Sequence, residues 1–141
     1  MECLTGMIRY TDELEGISAD QLHGGFFVGW PNPPSAETHL NILQSSYAIV
    51  LALDTTNQVV GFINAISDGV LSAYIPLLEV LPEYERQGIG SELTRRMLAR
   101  LSDLYMVDLL CDDDLQPFYA RLGLTPATGM LMRNYANQSG G

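Results

Sequence analysis

The segment from Leu77 to Leu93 constrains the fold of this chain more than any other. An apolar, strand-like run ends at Pro82, a short polar loop follows, and Gly88 and Gly90 lie where an amphipathic helix begins. The glycines leave the backbone N–H groups uncovered, and the start of a helix carries unpaired N–H groups and a partial positive charge. The segment therefore predicts a site for a phosphate group.

The two glycines alone are weak evidence, because such a pair often only shapes a tight turn between a strand and a helix. A dinucleotide-binding fold needs its glycine loop after the first strand of the domain, and here the loop follows the third strand of a predicted meander. A nucleoside-triphosphate loop needs a lysine after its last glycine, and Ser91 stands there instead. The context excludes both of these phosphate-binding folds.

Hydrophobic periodicity and turn residues predict one α/β domain over residues 1–141, with a flexible tail at 136–141. Short turns make the three central strands antiparallel neighbours, and Pro76 suggests a bulge in the third of them. The later strand–helix–strand order implies a parallel pair. The predicted strands span 7–10, 47–53, 59–66, 73–81, 105–110 (buried on both faces) and 130–135, and the helices 18–22, 35–46, 89–101 and 113–122.

Composition narrows the classes of partner. The chain has 7 Lys and Arg against 17 Asp and Glu, a net charge of −10. This charge argues against nucleic-acid binding and suits cationic substrates such as amines, although it also simply favours solubility. No apolar run reaches the roughly 20 residues of a membrane span. The absence of a signal-like N-terminus and the two cysteines, Cys3 and Cys111, predict a cytoplasmic protein with reduced thiols.

Two segments carry a family resemblance. Residues 78–93 resemble the acyl-CoA-binding motif of the GNAT N-acetyltransferase superfamily, which is Gln or Arg, two residues, Gly, one residue, then Gly or Ala. Residues 117–124, Pro-Phe-Tyr-Ala-Arg-Leu-Gly-Leu, are similar to the family's Phe-Tyr helix. The resemblance extends over roughly residues 7 to 135. It implies a mixed, mostly antiparallel sheet flanked by helices, with a splayed parallel strand pair and acetyl-CoA as co-substrate.

The resemblance also implies where acetyl-CoA binds. The pantetheine arm would lie between the strand that ends before Pro82 and the next parallel strand, and an N–H near Val80 would polarise the thioester carbonyl. Glu85 departs from the family pattern, because a carboxylate facing the pyrophosphate would weaken binding. The implied cofactor-binding residues are Leu78, Val80, Glu85, Arg86, Gln87, Gly88, Ile89, Gly90 and Ser91.

Acetyl transfer needs a donor of a proton to the departing thiolate and an acceptor for the proton of the amine. Tyr119 matches the family's general acid, with packing beside Phe118 as the structural alternative. The base is left open between Glu79, Asp68, Tyr74 and a water chain. Glu79 is notable because a carboxylate within an apolar strand is rare without a partner, although it could also face the sheet surface or pair with an arginine.

An aromatic, proline-rich loop precedes the second predicted helix and would, by resemblance, close over the acceptor. Phe26, Phe27 and Trp30, together with Tyr74, are the predicted substrate-binding residues. Such a lining favours an apolar or aromatic amine or a cation held by ring faces, and a plain hydrophobic lid is the alternative.

No metal site is predicted. His23 and His39 are expected to be surface or helix residues, and the acidic run 112–114 is expected to cap a helix. The predicted function is acetyl-CoA-dependent N-acetylation of a primary amine on a small molecule or peptide, by direct attack. A non-catalytic acyl-CoA sensor and a protein-interaction domain are the alternatives, and an edge strand near the C-terminus could support a homodimer.

Overall fold

The computed structural model of this chain describes residues 7–141, and Cys3 lies outside this range. Five strands form one sheet in the order β1-β2-β3-β4-β5. The strands are β1 (Arg9–Thr11), β2 (Ala48–Leu53), β3 (Val59–Ser67), β4 (Ser72–Val80) and β5 (Met106–Leu109). The helices are α1 (Ala36–Ser45), α2 (Ile89–Arg100) and α3 (Gln116–Ala120), with short 3₁₀ turns at Ala19–Leu22, Pro82–Tyr84, Asp113–Leu115 and Tyr135–Asn137.

The parallel pair β4–β5 separates halfway along β4. Strands β1 to β4 are antiparallel neighbours, whereas β4 and β5 are parallel and pair only as far as Ile75 and Leu109. The next residue, Pro76, has no N–H to donate, and the β3–β4 register also shifts across this position. From there to Val80, β4 has a partner on one side only. The mixed sheet with a splayed parallel pair, which the family resemblance implies, is confirmed.

Helices cover both faces of the central strands. Leu93 and Met97 of α2 pack on one face of β2 and β3, and Leu43 of α1 packs on the other. Ser35 caps α1 as predicted, since its hydroxyl oxygen accepts a hydrogen bond from the N–H of Thr38 at 3.1 Å. All six residues of β2 are buried, which explains its uninterrupted apolar sequence.

Gly61 of β3 allows α2 to approach the sheet closely. A Cβ atom at this position would lie 3.1 Å from Leu93 Cδ1 and 3.3 Å from Ile89 Cγ2. Both contacts are tighter than ordinary van der Waals distance. The absence of a side chain at Gly61 therefore sets how the first turn of α2 lies against the sheet.

Two predictions for the C-terminal third were wrong. Strand β5 is not buried on both faces, because it lies at the sheet edge and its residues alternate between exposed and partly buried. Residues 130–135 form no strand, since this segment has no pairing partner within residues 7–141. Both predictions rested on apolar composition alone. Strand formation and burial in these segments depend on whether another strand or helix lies beside them, which their own composition does not show.

The predicted helix at 113–122 is shorter and begins differently. A 3₁₀ turn precedes α3, and no carboxylate of residues 112–114 makes a capping hydrogen bond. The tail at 136–141 contacts the region before α1, where Gln138 Oε1 accepts a hydrogen bond from the N–H of Asn32 at 2.9 Å. The flexibility of this tail stays a prediction.

Candidate functional site

The N-terminus of α2 carries backbone N–H groups that make no helical hydrogen bond. The first helical hydrogen bond runs from the N–H of Glu92 to the carbonyl of Gly88 at 3.1 Å, so the N–H groups of residues 88–91 precede the helical ladder. No side chain caps this end, and Gly88 has φ 82° with no atom within 4 Å of the place a Cβ would occupy. This geometry suits an anion, and the N–H groups of residues 88–91 are here called the cradle.

The loop before the cradle adds one cation and one unpaired amide group. Arg86 is exposed, has φ 66°, and forms no ion pair within residues 7–141. The carboxamide oxygen of Gln87 is buried without a hydrogen-bond partner. The side chain of Glu85, the departure from the family pattern, is exposed. The first turn of α2 contains Glu92, whose charge is offset by two arginines three and four residues later.

Gly90 joins the cradle to the end of β4 and to α3. A Cβ at Gly90 would lie 3.7 Å from Phe118 Cζ and 3.8 Å from Val80 Cγ2. Leu78 and Val80 are partly buried and pack towards the α2 face of the sheet. Ile89 is buried in the same core, and Ser91 is partly exposed. Gly90, Val80 and Phe118 therefore meet at the end of β4, in the part of the strand that has no parallel partner.

Tyr119 lies on α3, one residue after Phe118, whose ring contacts this junction. Its ring packs against Phe118 with a centroid distance of 4.9 Å. Burial raises the pKa of the Tyr119 phenol to about 12, and negative charge on the nearby Cys111 sulfur acts in the same direction. The phenol is consequently neutral, with its proton available, at every physiological pH. The proximity of Cys111, which is a free thiol, was not predicted.

Glu79 is held at the aromatic loop. Its Oε1 accepts a hydrogen bond from the N–H of Phe27 at 2.8 Å, and Phe27 has a left-handed backbone with φ 64°. Burial raises the pKa of Glu79, an effect that this hydrogen bond partly opposes. Neither alternative raised by the sequence holds, because Glu79 is partly buried and forms no ion pair with an arginine of residues 7–141.

The aromatic loop packs around a buried histidine. Ring centroids of Phe26, Phe27 and Phe62 lie 5.3, 5.1 and 4.4 Å from that of His39, and Trp30 packs on Phe27 at 4.9 Å. His39 is 1% exposed, its Nε2 has no hydrogen-bond partner, and burial lowers its pKa to about 4. It belongs to a helix as expected but is not a surface residue. Periodicity could have revealed this, because residues 36, 39, 40 and 43 form one helical stripe.

Two candidate bases lie away from this junction. The Asp68 carboxylate accepts hydrogen bonds from the N–H groups of residues 70, 71 and 72 in the turn before β4, and these bonds lower its pKa. Tyr74 lies opposite Asp108 in the paired half of β4, five residues before Glu79. At about 3.3 Å per residue, Tyr74 is roughly 16 Å from Glu79 along the strand. The structure brings neither Asp68 nor Tyr74 to the end of β4.

Residues 7–141 contain no cluster of three or more His, Cys, Asp and Glu side chains that could hold a metal ion. No helix in the described part of the chain is long and apolar enough to cross a membrane.

Comparisons with known proteins agree with this geometry. The model of the acetyltransferase (GNAT) family matches residues 17–124. A Deinococcus radiodurans R1 protein that is proposed to be an acetyltransferase has a crystal structure with 52% identity and a TM-score of 0.94, covering 98% of this chain and 96% of that one. A GNAT family acetyltransferase of Streptococcus pneumoniae TIGR4 shows 34% identity and a TM-score of 0.73, with coverage of 91% and 98%.

Curated relatives are longer proteins. Among them is GCN5-related N-acetyltransferase 3, chloroplastic, of Arabidopsis thaliana, which is 39% identical over 71 residues, or 49% of this chain and 30% of its own length. GCN5-related N-acetyltransferase 1, chloroplastic, from the same plant is 27% identical over 112 residues, 77% of this chain and 57% of its own length. The match over most of the chain, together with the open α2 terminus and the splayed strands, shows that this chain belongs to the GNAT family of acetyltransferases.

Proposed function

We propose that this protein transfers an acetyl group from acetyl-CoA to a primary amine by direct attack. The observation that carries the proposal is the uncapped N-terminus of α2, which lies beside the gap that opens between β4 and β5 after Pro76. A diphosphate suits the cradle of N–H groups, and an extended pantetheine arm suits a strand that lacks a neighbour. Both features meet at Gly90.

The cofactor-binding roles follow from this placement. The N–H groups of residues 88–91 bind the pyrophosphate, and Arg86 supplies the cation that the helix end alone lacks. The buried carboxamide oxygen of Gln87 has no partner and can accept a hydrogen bond from an N–H or O–H group of the bound ligand. The pantetheine arm lies along residues 78–80, and an N–H near Val80 polarises the thioester carbonyl. Glu85, being exposed, turns its carboxylate to solvent.

The reaction forms one bond and breaks one. The amine nitrogen attacks the carbonyl carbon, the C–N bond forms, and the C–S bond breaks with the electron pair leaving on sulfur. The Tyr119 hydroxyl donates a hydrogen bond to the departing thiolate, and the sulfur takes up the proton that the attacking nitrogen loses as the new amide forms. The Tyr119 pKa of about 12, against about 8.5 for an ordinary thiol, means that this phenol acts mainly as a neutral hydrogen-bond donor that stabilises the developing charge.

The acceptor arrives as a cationic amine and becomes nucleophilic by passing one proton to Glu79 before attack, directly or through water. The raised pKa of Glu79 makes it a stronger base than an exposed glutamate, and its hydrogen bond to Phe27 fixes it next to the aromatic loop. Phe26, Phe27 and Trp30 form the apolar side of the acceptor site. The net charge of −10 attracts a cationic amine.

A non-catalytic acyl-CoA sensor is the second candidate, because the cradle alone would serve binding without turnover. Calorimetric titration with acetyl-CoA, followed by a panel of amines with detection of free thiol, separates the two. The proposal expects saturable binding and thiol release with at least one amine. Binding without release from any amine would favour the sensor, and no binding would exclude both. Location in the cytoplasm and a single-domain chain stay predictions.

A further inference from the structure

Phe27 has an unusual backbone conformation for a bulky residue. Its φ angle of 64° lies in the left-handed region, which residues with a large side chain rarely adopt. The residue is nevertheless buried, with only 4% of its surface exposed. A strained residue of this kind persists only where its surroundings hold it, and such residues cluster at functional sites. The contacts of Phe27 therefore indicate which function its conformation supports.

The backbone of Phe27 joins the aromatic loop to the sheet. Residues 23–30 of this loop form neither a strand nor a helix, and residues 23–25, 28 and 29 are exposed. Within residues 7–141, the hydrogen bond from the Phe27 N–H to Glu79 is the only one between this segment and the sheet. The position of the loop on β4 therefore depends on this bond and on side-chain packing.

The ring and the N–H of Phe27 contact the two members of one cross-strand pair. Phe62 of β3 lies opposite Glu79 of β4 in the antiparallel ladder, and residues in such positions are close neighbours. The Phe27 ring lies 6.2 Å from the Phe62 ring between centroids, and its N–H donates to Glu79 Oε1 at 2.8 Å. One loop residue is thus fixed to both strands where the proposed base lies.

The same residue is held by the other aromatic groups of the site. Trp30 packs on the Phe27 ring at 4.9 Å, and its N–H donates to the Phe27 carbonyl at 3.1 Å. The buried ring of His39 lies 5.1 Å away on α1. Movement of the Phe27 ring would therefore disturb both the lining of the acceptor site and the N–H that holds the base.

The hydrogen bond from Phe27 fixes one oxygen of Glu79 and leaves the other for the amine. Within the described residues, Oε1 accepts this bond, and the carboxylate makes no ion pair. Proton transfer requires the base to lie within hydrogen-bond reach of the amine, and small errors of placement are costly. A carboxylate with one oxygen held in place meets this requirement better than a freely rotating one.

We propose that Phe27 is a positioning residue that couples the aromatic loop to the base. Its buried ring holds the loop on the sheet and its N–H holds Glu79, so the acceptor site and the base are placed together. The inference rests on the proposed function, because it takes Glu79 as the base and the aromatic loop as the acceptor site. Coupling is reciprocal, so loss of the ring disturbs the base and loss of the carboxylate loosens the loop.

A double-mutant cycle tests the effect on the base. Phe27→Gly removes the ring but keeps the N–H, and it should lower kcat at saturating amine by about tenfold or more. In a Glu79→Gln background the same change should lower kcat by less than about threefold, because no base remains to be positioned. Phe27→Leu keeps a buried apolar side chain and should recover most of the loss. The control is Val28→Gly, which frees the same loop at a residue that is 67% exposed and should leave kcat unchanged.

The fluorescence of Trp30, the single tryptophan of the chain, tests the effect on the loop without any substrate. The Stern–Volmer constant for quenching by acrylamide should increase in Phe27→Gly and in Glu79→Ala, because each change breaks a contact between the loop and the sheet. Glu79→Gln keeps an acceptor for the Phe27 N–H and should be quenched like the wild type. Circular dichroism checks that each variant is folded, and Glu79→Ala alone decides this test if Phe27→Gly does not fold.

Three results would overturn the coupling and leave the proposed acetyl transfer intact. The first is an equal effect of Phe27→Gly in the wild-type and Glu79→Gln backgrounds. The second is unchanged quenching of Trp30 in Glu79→Ala, and the third is a Val28→Gly variant as slow as Phe27→Gly. Absence of thiol release by the wild-type chain with every amine would instead overturn the proposed function and the coupling together.

Discussion

Gly88→Ala tests the cradle, because the structure offers a matched control. Gly88 and Gly16 both have left-handed backbones, with φ 82° and 80°, and a Cβ at either position would meet nothing within 4 Å. An L-residue in this conformation costs about 1–2 kcal/mol. Both Gly88→Ala and Gly16→Ala should therefore lose that stability, which corresponds to roughly 3–8 °C in Tm.

Only Gly88→Ala should weaken acetyl-CoA binding. Its Cβ projects at the cradle, where it displaces the diphosphate from one or more N–H donors, and each hydrogen bond to a charged group contributes about 1.5–3 kcal/mol. The expected loss is about 10- to 100-fold in Kd by calorimetric titration. Equal affinity of Gly88→Ala, Gly16→Ala and wild type would refute the assignment of the diphosphate to this helix end.

Three further substitutions test the chemistry and the buried groups. Glu79→Gln keeps an acceptor for the Phe27 N–H and should lower kcat/KM by about 10²-fold or more, whereas Glu79→Ala should also lose about 1–3 kcal/mol of stability by denaturant titration. A decrease below tenfold for Glu79→Gln would assign the base to water. Tyr119→Phe should reduce kcat by about 10²-fold with unchanged Kd for acetyl-CoA; unchanged kcat would remove its catalytic role. His39 has a folded pKa of about 4, below its ordinary value of 6.5, so the unfolded chain takes up a proton that the folded one excludes. Stability should fall by up to about 3 kcal/mol as pH drops from 6.5 towards 4, and His39→Phe should remove most of the decrease between pH 6.5 and 5 in urea titrations at several pH values.

Local signals made the centre of the fold predictable. Proline and glycine residues mark the ends of β4 and the start of α2, and the antiparallel meander needs only short turns. The same glycine residues at the start of α2 predicted the cradle. By contrast, the burial of β5 and the path of residues 130–135 depend on distant partners, so apolar composition predicted strands and burial that residues 7–141 do not show.

The environments of individual side chains also could not be predicted from the sequence. The hydrogen bond between Glu79 and Phe27 joins residues 52 positions apart and rests on a left-handed backbone at a bulky residue, which local propensity disfavours. Asp68 was a reasonable base by residue type, but three turn N–H groups occupy its carboxylate. Only the burial of His39 left a readable signal, in the spacing of the α1 stripe.

The missing N–H of Pro76 has a consequence for the energetics of ligand entry. Proline has no N–H group, so Pro76 cannot form a hydrogen bond to β5. No interstrand hydrogen bond at this residue therefore has to be broken before a ligand binds between β4 and β5. The gap between the strands is already open without a ligand, so ligand binding should hardly move the backbone of β4 and β5. The substitution Pro76→Val would restore an N–H donor at this position. Pairing between β4 and β5 could then continue past residue 75, and it would compete with ligand binding between the two strands.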